Sequence, residues 1–335
     1  MKIDIYTHII PQKYKQALYQ RADSRFYSEN WDKVINGTPA LTNLDNRLKI
    51  LEKYDGLSQV LTIASPPLEE AASPEDAVYL AELGNDEMAE LVSKYPDKFA
   101  SGVACLPVND IDAALKETER AIHDLNFKGI QLYTPSNGNP LDSPEFLPLY
   151  ELMAGYGLPI WIHPARGRHI PDYPGEDHSR YYIYQMFGWP YETTAAMVHL
   201  VFSGIFDKYP GIKFITHHCG AMLPFLSERL VIGQDYAETN LKARWKQALK
   251  KPPIEYFKEF YADTALNGNP AALACGYEFF GPERIVFGTD FPYDDENGER
   301  FTREVIKAVD NLDIGIQEKD MIYHINAKKL LNLGE

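Results

Sequence analysis

Trp161-Ile162-His163-Pro164 is a run of β-forming apolar residues that ends on a metal-type ligand and is followed at once by proline. Three other stretches have the same shape: residues 3–8 (IDIYTH), 215–220 (ITHHCG) and 287–292 (FGTDFP). A barrel of eight parallel strands gathers its active-site residues at the carboxyl ends of separate strands. The four stretches therefore predict an α/β protein with a (β/α)8 barrel, or TIM barrel, and a metal-type site at its mouth.

Short apolar segments alternate with longer amphipathic segments along the chain, which favours a barrel over an open sheet. The predicted strands cover residues 2–7, 58–64, 99–106, 128–133, 158–163, 213–217, 260–264 and 284–289. The predicted helices cover residues 73–95, 109–125, 144–156, 191–208, 221–249, 270–280, 300–312 and 317–332. An open doubly wound sheet is the structural alternative, but no glycine-rich phosphate-binding motif follows a predicted strand. We expect a single domain over residues 1–335.

Two segments are too long for the connections of a bare barrel. Residues 9–45 form a polar and aromatic insertion after the first strand, and residues 164–190 are rich in Pro, Gly, Arg, His and Tyr. Long loops inside a compact domain usually serve function. Because both segments follow strands, we expect both of them on the catalytic face.

Charge and composition exclude several classes of protein. The chain has 33 Lys and Arg against 48 Asp and Glu, a formal net charge of −15, whereas nucleic-acid binding needs a basic surface. No apolar run approaches the roughly 18 residues of a membrane-spanning helix. The three cysteines are widely spaced and odd in number, so no disulfide framework is expected. The residues MKIDIYTHIIP are too short and polar for a signal peptide, and we expect a cytoplasmic protein.

Five side chains at predicted strand ends can bind a metal ion: His8, His163, His217, His218 and Asp290. Neutral imidazoles with one carboxylate suit a divalent cation such as zinc. The adjacent residues His217 and His218 would point to opposite sides of a strand, so only one of them can face the pore. Periodicity alone does not say which one does.

Three motifs carry a resemblance to a known family. They are HPA at 163–165, GWPYETTAAMVHLVFSGIFDKYPGIKFITHHCGAMLP at 188–224, and YADTA at 261–265 with FFGPERIVFGTDFPY at 279–293. In this order they resemble the amidohydrolase-2 group, a branch of the metal-dependent amidohydrolase superfamily. That branch includes aminocarboxymuconate-semialdehyde decarboxylase, γ-resorcylate decarboxylase and 5-carboxyvanillate decarboxylase. The resemblance runs through nearly the whole chain and independently implies the barrel.

The resemblance also implies roles for individual residues. His163 matches the metal-binding histidine of the fifth strand, and Asp290 matches the last-strand aspartate that binds metal and moves protons. His218 matches the catalytic histidine, because family members have a proline six residues later, as Pro224 is here. This assignment leaves His217 as the outward-facing neighbour.

The first strand departs from the family pattern, which usually has two histidines separated by one residue. Here the sequence is Tyr6-Thr7-His8. A phenol, with a reference pKa of about 10, is a poor metal ligand. We therefore expect Tyr6 to fill space or donate a hydrogen bond at the substrate site, with His8, His163 and Asp290 as the ligands. One divalent ion is expected, zinc before manganese, and no organic cofactor.

The resemblance further implies substrate-binding residues and a homodimer. Arg229 lies eleven residues after His218, and in similar decarboxylases an arginine at this spacing enters the neighbouring subunit's site and binds a substrate carboxylate. Arg47 resembles another substrate-facing arginine. Trp189 and several tyrosines of the segment 164–190 are expected to line an aromatic pocket.

The leading hypothesis is a metal-dependent, non-oxidative decarboxylase of an aromatic or unsaturated carboxylic acid. Hydrolysis of a lactone, ester or amide is the first alternative, because the same site could activate water. A metal-free barrel without catalytic activity is the second alternative, and Tyr6 is the residue that motivates it. The expected partner is a small carboxylic acid, with neither nucleic acid nor membrane.

Overall fold

The structure, a computed structural model, describes residues 1–334, and this part of the chain contains seven β-strands. They are β1 Lys2–Ile9, β2 Leu57–Ile63, β3 Phe99–Gly102, β4 Ile130–Thr134, β5 Pro159–Pro164, β6 Lys213–Thr216 and β7 Tyr261–Ala262. All strand pairs are parallel. Seven of the eight predicted strands are therefore present, with ends that differ by a few residues.

The predicted eighth strand, 284–289, is wrong as a regular strand. This segment makes only isolated bridges with its neighbours, such as Ala262 with Ile285. Its backbone is held partly by side chains instead: the Thr264 hydroxyl donates to Gly288 O at 2.9 Å, and Asp4 accepts from the Thr289 N–H. Side-chain bonds of this kind replace ladder bonds, so the segment keeps its place without regular strand geometry.

Backbone hydrogen bonds join the eight segments in chain order. The Ala104–Ile130 bridge connects the end of β3 to β4. Val286 N–H donates to Ala262 O at 2.9 Å, and Ile5 N–H donates to Phe287 O at 3.0 Å, which connects the last segment to β7 and to β1. The predicted (β/α)8 barrel is confirmed.

Seventeen α-helices accompany the strands within residues 1–334. In order, α1 to α17 span Gln12–Arg21, Ser24–Ser28, Trp31–Gly37, Pro39–Thr42, Leu44–Leu51, Leu68–Ala71, Pro74–Lys94, Ile111–His123, Leu147–Tyr156, Trp189–Phe202, Ile205–Lys208, Leu223–Leu241, Pro253–Phe257, Pro270–Phe280, Glu299–Asp310, Ile316–Asp320 and Asn326–Leu330. Among these described helices, none has the length and apolar character needed to cross a membrane.

The insertion after β1 consists of the short helices α1 to α5 rather than an irregular loop. Polar residues separate and cap these helices. Asp23 accepts from the N–H groups of Arg25 and Phe26, and Asn43 accepts from the N–H of Asn46. The insertion thus provides short capped helices beside the mouth of the barrel. By contrast, residues 165–182, which the structure describes in full, contain turns but no helix or strand.

The barrel interior is filled by its own buried cluster. The members that come from the eight segments are Ile3, Ile5, Tyr6, Val60, Val103, Trp161, Ile215 and Val286. Leu330, the last residue of α17, and Leu331, which follows it, belong to the same cluster. A filled interior leaves the carboxyl ends of the strands as the place for a site.

Replacement of Trp161 tests this interior. The side chain is fully buried, and its indole N–H donates to Ile5 O at 2.9 Å. Trp161→Ala should reduce the free energy of unfolding by about 3–5 kcal/mol, because it leaves a cavity and an unpaired carbonyl. Urea unfolding followed by circular dichroism measures the change. Trp245→Ala is the matched control: Trp245 is 55% exposed, and its loss should have a much smaller effect. Equal losses would contradict the proposed role of Trp161.

Candidate metal centre and catalytic cleft

Three histidines and one aspartate converge where the strands end. The Nε2 atoms of His8 and His217 lie 3.2 and 3.3 Å from the same oxygen, Oδ1 of Asp290. The His163 ring centroid lies 5.1 Å from that of His8 and 5.4 Å from that of His217. Ligand atoms of these three histidines are all within 4.8 Å of one another, which is close enough to bind one cation together.

Hydrogen bonds at Nδ1 fix the orientation of His8 and His163. The Thr62 hydroxyl lies 3.0 Å from Thr7 O and 2.9 Å from His8 Nδ1. A carbonyl can only accept, so the hydroxyl donates to it and His8 Nδ1–H donates to the hydroxyl. His163 Nδ1–H donates to Pro164 O at 2.7 Å. Both rings therefore keep the Nε2 lone pair free, as a metal-binding histidine requires.

Asp263, which the sequence analysis missed, holds His217. Its buried carboxylate is hydrogen-bonded to His217 Nδ1 and also accepts from the backbone N–H groups of Cys219 and Ala265, at 2.9 and 3.0 Å. One signal in the sequence could have identified it: Asp263 lies at the end of the predicted strand 260–264, where the other ligand-type residues also lie.

The prediction that His217 faces outward is wrong. The rings of His217 and His218 stack with centroids 3.9 Å apart, and their Nε2 atoms lie 3.3 and 3.9 Å from the two oxygens of Asp290. Alternation of side chains applies only within a strand, and β6 ends at Thr216. His218 and Cys219 both have φ of 54°, so the chain turns sharply and both imidazoles reach the same carboxylate.

Burial and opposite charge determine the ionisation of the centre. Burial lowers the pKa of His8, His163 and His218. Burial would also lower the pKa of His217, but the carboxylates of Asp263 and Asp290 outweigh it and raise that pKa to about 9. For Asp290, burial alone would raise the pKa, yet the surrounding histidines, His217 foremost, hold it well below its usual range. The site thus combines the ionised carboxylate of Asp290 with the imidazoles of His8, His163 and His218, which favour the neutral form, and with His217, which favours the protonated form.

The donor set fits a divalent cation. Among the residues that the structure describes, Nε2 of His8 and Nε2 of His217 are buried and approach Asp290 Oδ1 to 3.2 and 3.3 Å, but neither forms an aligned hydrogen bond. Buried polar atoms without a proper hydrogen bond are costly, and a bound cation is one group that would satisfy them. Imidazole nitrogens with a carboxylate oxygen are the ligands that zinc and manganese take.

Tyr6 lies beside the centre but is turned away from it. Its hydroxyl donates to Ile162 O at 3.0 Å, and its ring stacks on His217 with centroids 3.9 Å apart and an interplanar angle of 10°. Burial raises the pKa of Tyr6 well above its usual value. The phenol is therefore neutral and its proton is already engaged.

A cleft of about 490 Å³ opens above the centre. Its lining includes Asp290, Tyr293 and Trp189, together with Trp31 and Lys33 from the insertion. The Trp189 ring lies 5.6 Å from the His163 ring, so the structure brings Trp189 to the centre's edge. His218, with 17% of its side chain exposed, lies between the buried ligands and solvent. The volume is within the range for small-molecule sites.

The two predicted substrate arginines lie elsewhere than in this cleft. Arg47 is fully buried, donates to His8 O at 2.5 Å and packs over the Phe291 ring at 4.6 Å. Burial lowers its pKa to about 9. It supports the backbone of His8, because its side chain reaches back from α5 to β1. Arg229 is exposed on α12.

Comparison with known proteins identifies the family of this chain. A family model described as amidohydrolase matches residues 4–333. The chain belongs to the amidohydrolase family. The match covers almost all of the chain, which confirms the resemblance predicted from the motifs.

Two curated relatives of this amidohydrolase are decarboxylases. Gamma-resorcylate decarboxylase of Polaromonas sp. (strain JS666) is 28% identical over 84% of this chain and 87% of its own length. The 2-amino-3-carboxymuconate-6-semialdehyde decarboxylase of Dictyostelium discoideum is 27% identical over 92% and 86%. Both relatives have the decarboxylase activity that the resemblance predicts.

Among solved structures, 5-carboxyvanillate decarboxylase from Novosphingobium aromaticivorans superposes with a TM-score of 0.82 at 24% identity. The superposition covers 99% of this chain and 96% of that one. That crystal structure contains manganese and 4-hydroxy-3-methoxy-5-nitrobenzoic acid. At this identity the likeness establishes the fold.

The Thr62 hydroxyl provides a test of the centre. Thr62→Val keeps the shape of the side chain but leaves His8 Nδ1 without its partner, so metal affinity should fall about 10–100-fold. Competition with a chromogenic chelator measures the dissociation constant. Thr118→Val is the matched control, since the Thr118 hydroxyl is also buried, donates to Ala114 O within α8 and should not affect affinity. Equal effects of both changes would contradict the assigned role of Thr62.

Proposed function

We propose that this amidohydrolase releases carbon dioxide from an aromatic or unsaturated carboxylic acid in a metal-dependent, non-oxidative reaction. One observation carries the proposal: ionised Asp290, in contact with two buried imidazoles, lines a cleft together with Trp31, Trp189 and Tyr293. The decarboxylase activity of the curated relatives supports it.

The metal is held by His8, His163 and Asp290 in this proposal. When bound, it supplies Lewis-acid chemistry to the substrate carboxylate and an adjacent oxygen. The donor set suits zinc, which we expect, and equally manganese, which the structure from N. aromaticivorans contains. The orientation of His8 and His163 by Thr62 and Pro164 supports these two residues as ligands.

Asp290 handles the proton. Decarboxylation replaces the carbon–carbon bond of the carboxylate by a carbon–hydrogen bond, so it consumes one proton for each carbon dioxide released. The low pKa of Asp290 means that this residue must first take up a proton before it can deliver one to the ring carbon. His218, whose Nε2 lies 3.9 Å from Asp290 and whose side chain is 17% exposed, is the group that hands a proton to Asp290 or to the substrate oxygen in this proposal.

A carbon dioxide release assay tests the reaction. A panel of hydroxybenzoates and muconates, with lactones and esters beside it, should give carbon dioxide from at least one acid. Asp290→Asn should lower kcat by about 10²–10⁴-fold, the usual contribution of a proton-transferring group. Because Asp290 is also a proposed ligand, the variant is assayed at saturating metal with its metal content measured. Hydrolysis of lactones with no loss of carbon dioxide from any acid would overturn the decarboxylase proposal in favour of a hydrolase.

A homodimer completes the substrate site in this proposal. Arg229 lies on one face of α12 with Phe225, Ile232 and Tyr236, at helical spacing. These three side chains are 82%, 65% and 61% exposed. A cluster of large exposed apolar side chains usually marks an interface, and a second copy over this face would carry Arg229 to its neighbour. A guanidinium pairs well with the carboxylate of an acid substrate.

Arg229→Ala should raise KM for the acid substrate at least about tenfold, the effect of losing one charge-assisted hydrogen bond, with bound metal unchanged. Steady-state kinetics and metal analysis measure the two quantities. Arg244→Ala, another exposed arginine, is the control and should leave KM unchanged. Sedimentation of Phe225→Glu should show the monomer. An unchanged KM for Arg229→Ala would remove this residue from the substrate site.

A further inference from the structure

We infer that His217 is a fourth metal ligand, in the place of the first-strand ligand that Tyr6 does not supply. This inference rests on the proposed function in one respect, namely that the enzyme holds a divalent ion. It goes beyond the three ligands His8, His163 and Asp290, and it assigns Tyr6 a different task.

Tyr6 is committed to other contacts. The phenol donates its proton to Ile162 O, and the ring lies flat against the imidazole of His217. A phenolate ligand would have to give up the bond to Ile162 and expose a buried carbonyl without a partner. The first strand therefore contributes one ligand, His8, where the family pattern has two.

His217 has the properties of a ligand. Its Nε2 is fully buried, has no hydrogen-bond partner among the described residues, and lies 3.3 Å from Asp290 Oδ1. It belongs to the same group as the ligand atoms of His8 and His163. Its Nδ1 is hydrogen-bonded to the buried Asp263 carboxylate, and such a carboxylate–histidine pair is the usual support of a metal-binding imidazole.

Close packing holds His217 in this position. Tyr6 covers one face of the ring and His218 covers the other, with centroids 3.9 Å away on each side. Gly288 makes room for the arrangement: a Cβ at this position would lie 3.0 Å from Asp263 Cβ and 3.2 Å from Tyr6 Cβ. Tyr6 thus acts as a positioning residue for His217, and the three imidazoles together with Asp290 would supply four donors, the number that zinc usually takes.

His218 is the weaker candidate for the same task. Its Nε2 lies 3.9 Å from the other oxygen of Asp290, and part of its side chain is open to solvent. Its Nδ1 has no partner in the described structure, so no carboxylate or carbonyl fixes its tautomer. His218 therefore remains available to the substrate, while His217 is fixed for the ion.

Metal binding in four proteins tests the inference: wild type, His217→Gln, His218→Gln and Tyr6→Phe. Each is stripped with a chelator, reloaded with zinc or manganese and titrated against a chromogenic competitor. His217→Gln should bind the ion at least about 100-fold more weakly, since a ligand matters no less than the groups that support it. His218→Gln and Tyr6→Phe should retain wild-type affinity, because neither removes a ligand and phenylalanine keeps the stacked ring. Circular dichroism of the stripped proteins confirms that each is folded.

X-ray absorption of the zinc-loaded wild type requires no substitution. It therefore identifies the ligands of the ion even if His217→Gln does not fold. We expect scattering from three imidazoles and one oxygen ligand. Two imidazoles, or full affinity in folded His217→Gln, would overturn the assignment of His217. Loss of the ion in Tyr6→Phe would make the phenol the ligand instead. A wild-type enzyme that binds no divalent ion would overturn the proposed function itself, which is a separate outcome.

Discussion

The rest of the site depends on the hydrogen bonds that the buried side chain of Asp263 accepts. This side chain is hydrogen-bonded to Nδ1 of the His217 ring, and it also accepts hydrogen bonds from the backbone N–H groups of Cys219 and Ala265. A buried polar group must be hydrogen-bonded, and here the bonds of Asp263 hold a turn in which His218 and Cys219 take positive φ. The end of β7 thereby fixes the end of β6, and two imidazoles are presented to one side of the barrel.

The barrel's filled interior explains why the polar groups gather above it. Ile5, Val60, Trp161 and Ile215 occupy the space between the strands, so a charged group has room only at the carboxyl ends. There the carboxylates of Asp263 and Asp290 contact the two ring nitrogens of His217. The two carboxylates raise the pKa of His217 to about 9, and a divalent cation bound at its Nε2 would balance their charge in place of the imidazole proton.

The parts of the fold and site that follow local rules could be predicted from the sequence. Apolar runs that end on ligand-type residues correctly indicated the barrel and the convergence of His8, His163 and Asp290. The predicted helix 270–280 agrees with α14, which Asn269 caps and Gly281 follows. Features set by tertiary contacts could not be predicted. The insertion's short helices have too few turns for a periodic pattern, and the last segment is held by side chains rather than by a ladder.

The orientation of His217 is the most instructive of these failures. Side chains alternate only within a strand, and β6 ends at Thr216, before His217; no pattern in the sequence marks that end. The same geometry connects the two unusual residues of the site, because Tyr6 and His217 lie face to face. Strand ends of a barrel converge, so a ligand position need not belong to one particular strand. A tyrosine that removes a ligand from β1 can therefore be compensated by a histidine after β6, provided that a carboxylate such as Asp263 orients it.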